Sequence, residues 1–190
     1  MSTPLFSASY REARARFALA ADACGAQLHR YPLPLLGAQG EELAMDVAVH
    51  GPADAAQVLM TTSAVHGIEG FCGSAIQTGL LQNLTLPPGM AVVHVHAVNP
   101  HGFSHARRVN EDNVDLNRNF IDFSQPLPVN ADYAQVHELL LPTHWPPSPE
   151  ASAALQAQAD AWGERRMQRA ITSGQYQFDL GVWFGGLAPT

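Results

Sequence analysis

The sequence predicts an α/β fold with a mixed, partly parallel β-sheet that is flanked by helices. Short apolar runs over residues 43–49, 57–65 and 90–98 are typical of strands, and helix-forming stretches over 10–24 and 71–84 lie between or before them. Strand–helix–strand units imply a right-handed crossover, which places parallel neighbours in one sheet. With 190 residues, of which 46% are hydrophobic, the chain is long enough to form one domain with a substantial core.

The individual elements of the first half follow from local patterns. Ser9 and Glu12 form a capping box that starts the helix over residues 10–24. The run over residues 27–36 contains two prolines, which are confined to edge strands. The run over residues 57–65 is mostly apolar, so we expect a strand in the middle of a sheet that is covered on both faces.

Three further helices are predicted. The helix over residues 71–84 has an apolar face that we expect to be buried, and a short helix covers residues 132–141. Ser148 as cap and Pro149 in the first turn begin one long helix that runs to about residue 173. The expected buried face of the helix over 71–84 consists of Phe71, Ala75, Ile76 and Leu80.

The composition excludes several classes of partner. The net charge is −7 without a basic stripe, so we expect no nucleic-acid partner. No apolar run is long enough to span a bilayer, so we expect no membrane partner. Cys24 and Cys72 make no disulfide framework, and residues 1–6 lack the pattern of a signal peptide. A reduced, cytoplasmic location is therefore the expectation.

His66 and Glu69 are the first candidate functional residues. They are three residues apart, just after a predicted strand, and ligands of open α/β sheets bind at the carboxyl ends of strands. A neutral imidazole and a carboxylate are both zinc ligands. The alternative is a loop histidine and a glutamate that is stabilised by the dipole at a helix N-terminus.

Two groups of arginines follow. Arg107 and Arg108 come first and Arg118 next, and guanidinium groups near a metal can hold and polarise a substrate that bears a carboxylate. The alternatives are a solvated Arg108 and an Arg118 that is paired internally with Asp112 or Asp115.

Other histidines are weaker candidates for functional residues. His94 and His96 share one face of a strand, where histidines are more often packed and hydrogen-bonded than metal-bound. His101 and His105 lie beside the arginines and are candidates for the lining of a pocket.

Four motifs occur in series along the chain. They are H-x-x-E at 66–69, N-P-x-G at 99–102, R-x-N at 108–110 and V-D-L-N-R-N-F at 114–120. With these motifs the chain resembles the zinc carboxypeptidases of the M14 (carboxypeptidase A-like) superfamily and is most similar to the bacterial DUF2817 group, from about Phe6 to the last residue. The resemblance implies a zinc-carboxypeptidase-like (phosphorylase/hydrolase-like) fold.

The resemblance also implies roles for individual residues. His66 and Glu69 would hold zinc, and Arg108 would polarise the scissile carbonyl and stabilise the oxyanion. Asn117 and Arg118 would bind the terminal carboxylate of the substrate. The implied activity is a zinc-dependent, carboxypeptidase-like hydrolysis of an amide bond next to a free carboxylate.

The chain departs from the family pattern in one respect. The family has a third zinc-ligand histidine and a general-base glutamate further along the chain. Neither His137 nor His144 lies in the sequence context that is expected of the third ligand. Residues 1–190 therefore resemble the N-terminal part of a single M14-like domain, with an incomplete sheet and impaired activity. Its exposed sheet edge could pair with a second copy of the chain.

Two alternatives stay open. The same zinc and arginine groups would serve an N-acyl amino acid deacylase of the aspartoacylase and succinylglutamate desuccinylase type, so the substrate is either a small peptide or an N-acyl amino acid. The third possibility is a non-catalytic remnant or binding module.

Overall fold

The computed structural model describes residues 5–190. The expectation about a signal peptide falls partly on residues 1–4 and so lies outside the described residues. The described chain divides into two compact units, residues 5–111 and residues 112–190. Among the described helices, none combines the length and the apolar character that are needed to cross a bilayer.

The first unit is a four-stranded mixed sheet with helices. Its elements are α1 (Tyr10–Ala23), β1 (Gln27–Leu36), β2 (Glu42–His50), β3 (Gln57–Thr62), α2 (Gly70–Asn83), β4 (Met90–His96) and α3 (Pro100–Ser104). The strand order is β1-β2-β4-β3, in which β2 is antiparallel to β1 and β4, and β3 is parallel to β4. This arrangement confirms the predicted fold class.

Helices α1 and α2 pack on the same face of the sheet. The Ser9 hydroxyl accepts a hydrogen bond from the Glu12 amide at 3.2 Å, which confirms the predicted start of α1. Phe17 of α1 stacks on His96 with ring centroids 4.4 Å apart, and Ser74 of α2 contacts the same imidazole. The side chain of His96 therefore marks the centre of this helix-covered face.

The predicted position of β3 is wrong. The strand ends at Thr62 and, among the strands of residues 5–190, it lies at an edge of the sheet and pairs with β4 alone. Its side chains are largely exposed: Val58 by 59%, Leu59 by 44% and Met60 by 63%. An apolar run indicates a strand that gains from cover on both faces, but the run alone does not say whether neighbours exist.

The predicted buried face of α2 is also partly wrong. Ala75 is buried, but Ile76 is 58% exposed. The face that meets the sheet carries Gln77, whose amide nitrogen donates to the carbonyl groups of Thr61 and Val95 at 3.2 and 3.1 Å. These hydrogen bonds satisfy the buried amide nitrogen of Gln77, a polar residue at the sheet-facing position that an apolar pattern could not identify.

The second unit is helical, and its long predicted helix is divided. The backbone of Gly163 is left-handed, with a φ of 76°, and this conformation ends one helix before the next begins. The elements are α4 (Leu116–Asn119), α5 (Ala131–Leu140), α6 (Pro149–Trp162) and α7 (Glu164–Thr172). The short helix predicted over residues 132–141 is present as α5.

Candidate functional site

The site is built at the carboxyl ends of the parallel strands β3 and β4. Main-chain pairing continues past both strands, because the Ser63 amide donates to the Val95 carbonyl at 3.0 Å. The Asn99 amide likewise donates to the Ala64 carbonyl at 3.0 Å. The two following loops therefore run side by side, and His66 lies in the first of them.

Asn99 ties the two loops together. Its side-chain oxygen accepts from the Gly102 amide at 2.7 Å and so caps α3, and its side-chain nitrogen donates to the Val65 carbonyl at 3.4 Å. Pro100 at the first helical position has no amide hydrogen to satisfy. A side chain that is only 2% exposed thus holds the residue before His66 against the α3 turn.

Gly67 fixes the other side of His66. Its amide donates to the Arg107 carbonyl at 2.9 Å, which joins the histidine loop to the arginine loop. A Cβ atom at this position would collide with the carbonyl group of Gly102. Glycine therefore permits a close approach of two backbones that positions His66 and Arg108 in one neighbourhood.

The backbone beside the site is strained. Ala64 and Ala97 follow β3 and β4 with φ values of 56° and 61°, in the left-handed region that alanine rarely adopts. Each such residue costs about 1 kcal/mol and persists only where the surrounding structure enforces it. Strain of this kind concentrates at functional sites.

His66 and Glu69 lie at a separation that fits two ligands of one zinc ion. The His66 Nδ1 atom is 3.2 Å from Glu69 Oε1 and 3.4 Å from Oε2. Nitrogen and oxygen ligands at tetrahedral positions on zinc lie about 3.3 Å from each other. A direct hydrogen bond from an N–H group to an oxygen spans about 2.7–3.2 Å, so the contact is also a long hydrogen bond. The separation therefore fits both two ligands of one metal ion and a direct contact between the two side chains.

Glu69 and Arg108 give the site an open, charged side. The Glu69 side chain is 66% exposed and caps no amide, although the residue is the N-cap of α2. Arg108 is 36% exposed, and its Nη1 atom is 3.9 Å from Glu69 Oε1. An imidazole, a carboxylate and a guanidinium therefore meet where solvent can enter.

A third donor is not found among the described residues. They contain no group of three histidine, cysteine, aspartate or glutamate side chains that could hold a metal ion. His101 and His105 stack on each other at 4.3 Å, and His137 stacks on Phe178 at 3.9 Å. His144 contacts the hydroxyl of its neighbour Thr143 at 2.9 Å.

The two histidines of β4 belong to the interior. His94 Nδ1 is 2.8 Å from the Thr61 hydroxyl, and His96 Nε2 is 2.9 Å from the Ser74 hydroxyl. Both side chains are completely buried, and burial lowers the pKa of His94 and lowers the pKa of His96 to about 4. The packed, hydrogen-bonded interpretation of this pair is confirmed.

Asn117 and Arg118 lie in the second unit, on α4. The buried carboxylate of Asp115 caps this helix by accepting from the Asn117 amide at 3.0 Å. Arg118 donates to main-chain carbonyls, from Nη1 to Asn117 at 3.2 Å and from Nη2 to Thr172 at 2.6 Å. Its buried Nε–H has no partner among residues 5–190. The Asn117 side chain is exposed to solvent.

The sequence predicted the candidate charged side chains and the N-P-x-G motif at 99–102, but not the contacts by which Asn99 and Gly67 position His66. The cap by Asn99 had a signal, because an asparagine before a proline is typical of a helix start. The close approach at Gly67 had none, since it depends on a carbonyl group thirty-five residues further along the chain.

Several solved structures resemble parts of the chain. A Tannerella forsythia glutaminyl cyclase is 15% identical over 62% of this chain and 49% of its own, with a TM-score of 0.38. Thrombin activatable fibrinolysis inhibitor is 18% identical over 62% of this chain and 37% of its own, with a TM-score of 0.36. A Zn-dependent exopeptidase from Parabacteroides distasonis is 13% identical over 47% of this chain and 38% of its own, with a TM-score of 0.32.

The chain spans less than half of the length of each of these structures. No curated protein is significantly similar to it in sequence. The model of the DUF2817 family, described as proteins of unknown function, matches residues 6–190 and confirms the prediction made from the motifs. The chain therefore belongs to the DUF2817 family.

Proposed function

We propose that this chain carries the first zinc ligands and the substrate-binding groups of a hydrolase that cleaves an amide bond next to a free carboxylate. One observation carries the proposal: the 3.2 Å separation of His66 Nδ1 and Glu69 Oε1 suits two ligands on one zinc ion. Zinc at such a site acts as a Lewis acid and makes water nucleophilic at neutral pH. Residues 5–190 contain no group of three candidate metal ligands, so we expect this chain to bind the metal weakly.

His66 suits the role of a rigid ligand. It is 5% exposed, and the residues on both sides of it are hydrogen-bonded to the neighbouring loop through Asn99 and Arg107. Glu69 is the adjustable partner because its exposed carboxylate can rotate at the N-terminus of α2. A fixed imidazole beside a mobile carboxylate leaves one side of the site open to substrate.

Arg108 has the role of stabilising negative charge on the reacting carbonyl oxygen. Its Nη1 atom is 3.9 Å from Glu69 Oε1, which keeps the cation beside the proposed metal ligand. A fixed cation at a developing oxyanion contributes about 3 kcal/mol to transition-state binding. Removing the charge should therefore lower kcat more than it raises KM.

Asn117 and Arg118 are assigned to the substrate carboxylate on the basis of the family resemblance. The guanidinium can bind a carboxylate bidentately, and its Nε–H lacks an acceptor among the described residues. Its Nη atoms donate to main-chain carbonyls, so binding of a carboxylate requires Arg118 to exchange at least one of these bonds.

The test is hydrolysis by the zinc-loaded chain of N-blocked dipeptides with a free carboxylate, of their amidated counterparts, and of N-acetyl amino acids. We expect slow hydrolysis of the free acids, no preference for them in Arg118→Ala, and loss of about a hundredfold in kcat in Arg108→Ala. Cleavage restricted to N-acetyl amino acids would favour the deacylase instead. No hydrolysis of any substrate, or hydrolysis that survives His66→Ala, would overturn the catalytic assignment.

A further inference from the structure

Helix α4 carries Arg118 but is too short to hold it in place. It consists of a single turn, Leu116–Asn119, and a helix of that length is not stable by itself. The last carbonyl groups of a helix also lack partners within it. The Arg118 carbonyl is such a group, and it accepts a hydrogen bond from the Tyr176 hydroxyl at 2.6 Å. Tyr176 therefore closes the C-terminal end of the turn that carries the arginine.

The residues at the end of α7 enclose the side chain of Arg118. The Thr172 carbonyl accepts a hydrogen bond from Arg118 Nη2 at 2.6 Å. Two residues later, Gly174 has a left-handed backbone with a φ of 87°, and a Cβ atom there would lie 2.6 Å from Arg118 Cδ and 3.2 Å from Nε. Glycine permits both this conformation and this close approach. The turn over residues 172–176 therefore lies against the aliphatic part of the arginine.

Asn130 fixes this turn to the start of α5. Its side-chain nitrogen donates to the carbonyl groups of Ala170 and Gly174, both at 2.9 Å. Its side-chain oxygen accepts from the Tyr133 amide at 2.9 Å, so the asparagine cannot turn over without losing three hydrogen bonds. The turn that holds Arg118 is thus anchored to two helices of the same unit.

The guanidinium of Arg118 reaches a carboxylate by exchanging one main-chain hydrogen bond. Nη1 donates to the Asn117 carbonyl and Nη2 to the Thr172 carbonyl. The adjacent Nε–H is buried and has no acceptor in the part of the chain that the structure describes. Nε and Nη2 direct N–H groups to the same side, on which a carboxylate forms two parallel hydrogen bonds. A carboxylate in the place of the Thr172 carbonyl therefore replaces one hydrogen bond by two.

We propose that Tyr176 positions Arg118 for the carboxylate of the substrate, by holding its main chain while the side chain exchanges its partner at Thr172. Tyr176 has this role only if Arg118 binds the carboxylate, as the proposed function assigns. Its side chain is 9% exposed, and its bond to the Arg118 carbonyl is not the one that the ligand replaces. Burial also raises the pKa of Tyr176, which keeps the hydroxyl protonated as a donor. Because Tyr176 acts through Arg118, it is a positioning residue.

The test is NMR spectroscopy of the arginine Nε–H groups during titration with N-acetylalanine and, separately, with its amide. In the wild type we expect one signal to shift with the acid and not with the amide, and Arg118→Ala identifies this signal by removing it. Tyr176→Phe keeps the ring and loses the hydrogen bond to the Arg118 carbonyl. It should raise the acid concentration at half-saturation about tenfold and reduce the preference for the acid over the amide.

Two matched controls accompany these variants. Tyr133→Phe also removes a tyrosine hydroxyl from a hydrogen bond, the one that it accepts from the Val182 amide at 2.9 Å, and it should titrate as the wild type does. Gly174→Ala crowds the Arg118 side chain and should weaken binding of the acid. Gly163→Ala should not, because its backbone is equally left-handed but its Cβ meets nothing within 4 Å. Circular dichroism should show the same fold in all variants.

Wild-type titration curves for both Tyr176→Phe and Gly174→Ala would overturn the positioning role and leave Arg118 as the carboxylate ligand. Losses of affinity that are equally large in Tyr133→Phe and Gly163→Ala would also overturn it, since they would show a general loss of stability. An Arg118 signal that does not shift with the acid would instead overturn the carboxylate assignment of the proposed function, and the role of Tyr176 with it.

Discussion

The first unit uses histidine in two opposite ways within one sheet. His66 lies beyond the carboxyl end of β3, with a carboxylate beside it and solvent on the other side of that carboxylate. His94 and His96 lie inside β4, where hydroxyl groups contact them and no carboxylate of the described part of the chain is hydrogen-bonded to them. The difference shows that the partner of a histidine and the access of solvent, rather than spacing in the sequence, separate a candidate ligand from a core residue.

The comparison predicts that the loop backbone around His66 is the part of the site that tolerates added volume least. Gly67→Ala would force a methyl group into the Gly102 carbonyl, and the obstacle is backbone that cannot rotate away. We expect the free energy of unfolding to fall by more than about 3 kcal/mol in chemical denaturation. Gly89→Ala is the control, because its Cβ meets nothing within 4 Å and only its left-handed backbone costs about 1 kcal/mol. Equal losses in the two variants would contradict the crowding at Gly67.

The buried histidines should make stability depend on pH. Burial lowers the pKa of His96 from 6.5 to about 4, an effect that Arg14 reinforces and the Asp46 carboxylate opposes. The unfolded chain therefore binds a proton at a higher pH than the folded chain does. Stability is fully present above pH 6.5 and is lost as the pH falls towards 4, by about 3 kcal/mol.

Denaturant unfolding between pH 7 and pH 4 measures this effect. His96→Gln should flatten the profile, whereas His29→Gln, which changes an exposed histidine, should leave it as in the wild type. A wild-type profile that stays flat over this range would show that His96 is not desolvated as described.

The two kinds of histidine partner should also differ in what they contribute to stability. Ser74→Ala leaves the buried His96 Nε2 without its hydrogen-bond partner and should cost about 2 kcal/mol. Glu69→Gln alters an exposed side chain and should change stability by less than about 0.5 kcal/mol. Thermal unfolding of both variants without metal checks this, and a larger loss for Glu69→Gln would reverse the comparison.

A smaller loss of stability should come from removing Asn99, which caps α3 and positions His66. Asn99→Ala removes the acceptor for the Gly102 amide and should cost about 1 kcal/mol. Asn130→Ala is the matched control, since Asn130 caps α5 by accepting from the Tyr133 amide at 2.9 Å. Both caps should lower the melting temperature, but only Asn99→Ala should also weaken zinc binding. Equal zinc binding in the two variants would remove Asn99 from the positioning of His66.

The sequence predicted the strands and most helices of the first unit because alternation, capping and proline signals are local. It did not predict the exposure of β3, since the apolar run from Val58 to Met60 reads the same in a central strand and at an edge. The break at Gly163 was also missed, because an isolated glycine is tolerated in many helices and only its left-handed backbone ends this one.

The candidate ligands were predictable from residue type and spacing, but their geometry was not. The sequence places His66 and Glu69 three residues apart, and only the bonds of Val65 and Gly67 to the neighbouring loop fix the imidazole beside the carboxylate. Contacts of this kind join residues that are far apart in the chain, so no local pattern encodes them.

The most direct test of this account is a zinc titration of the chain after dialysis against metal-free buffer, with the wild type, His66→Ala and His29→Ala compared. The account predicts saturable binding of about one zinc ion per chain in the wild type and in His29→Ala. His66→Ala should weaken that binding at least about tenfold while the protein stays folded. Zinc binding by His66→Ala that equals the wild type would contradict the assignment of His66 and Glu69 as the metal ligands.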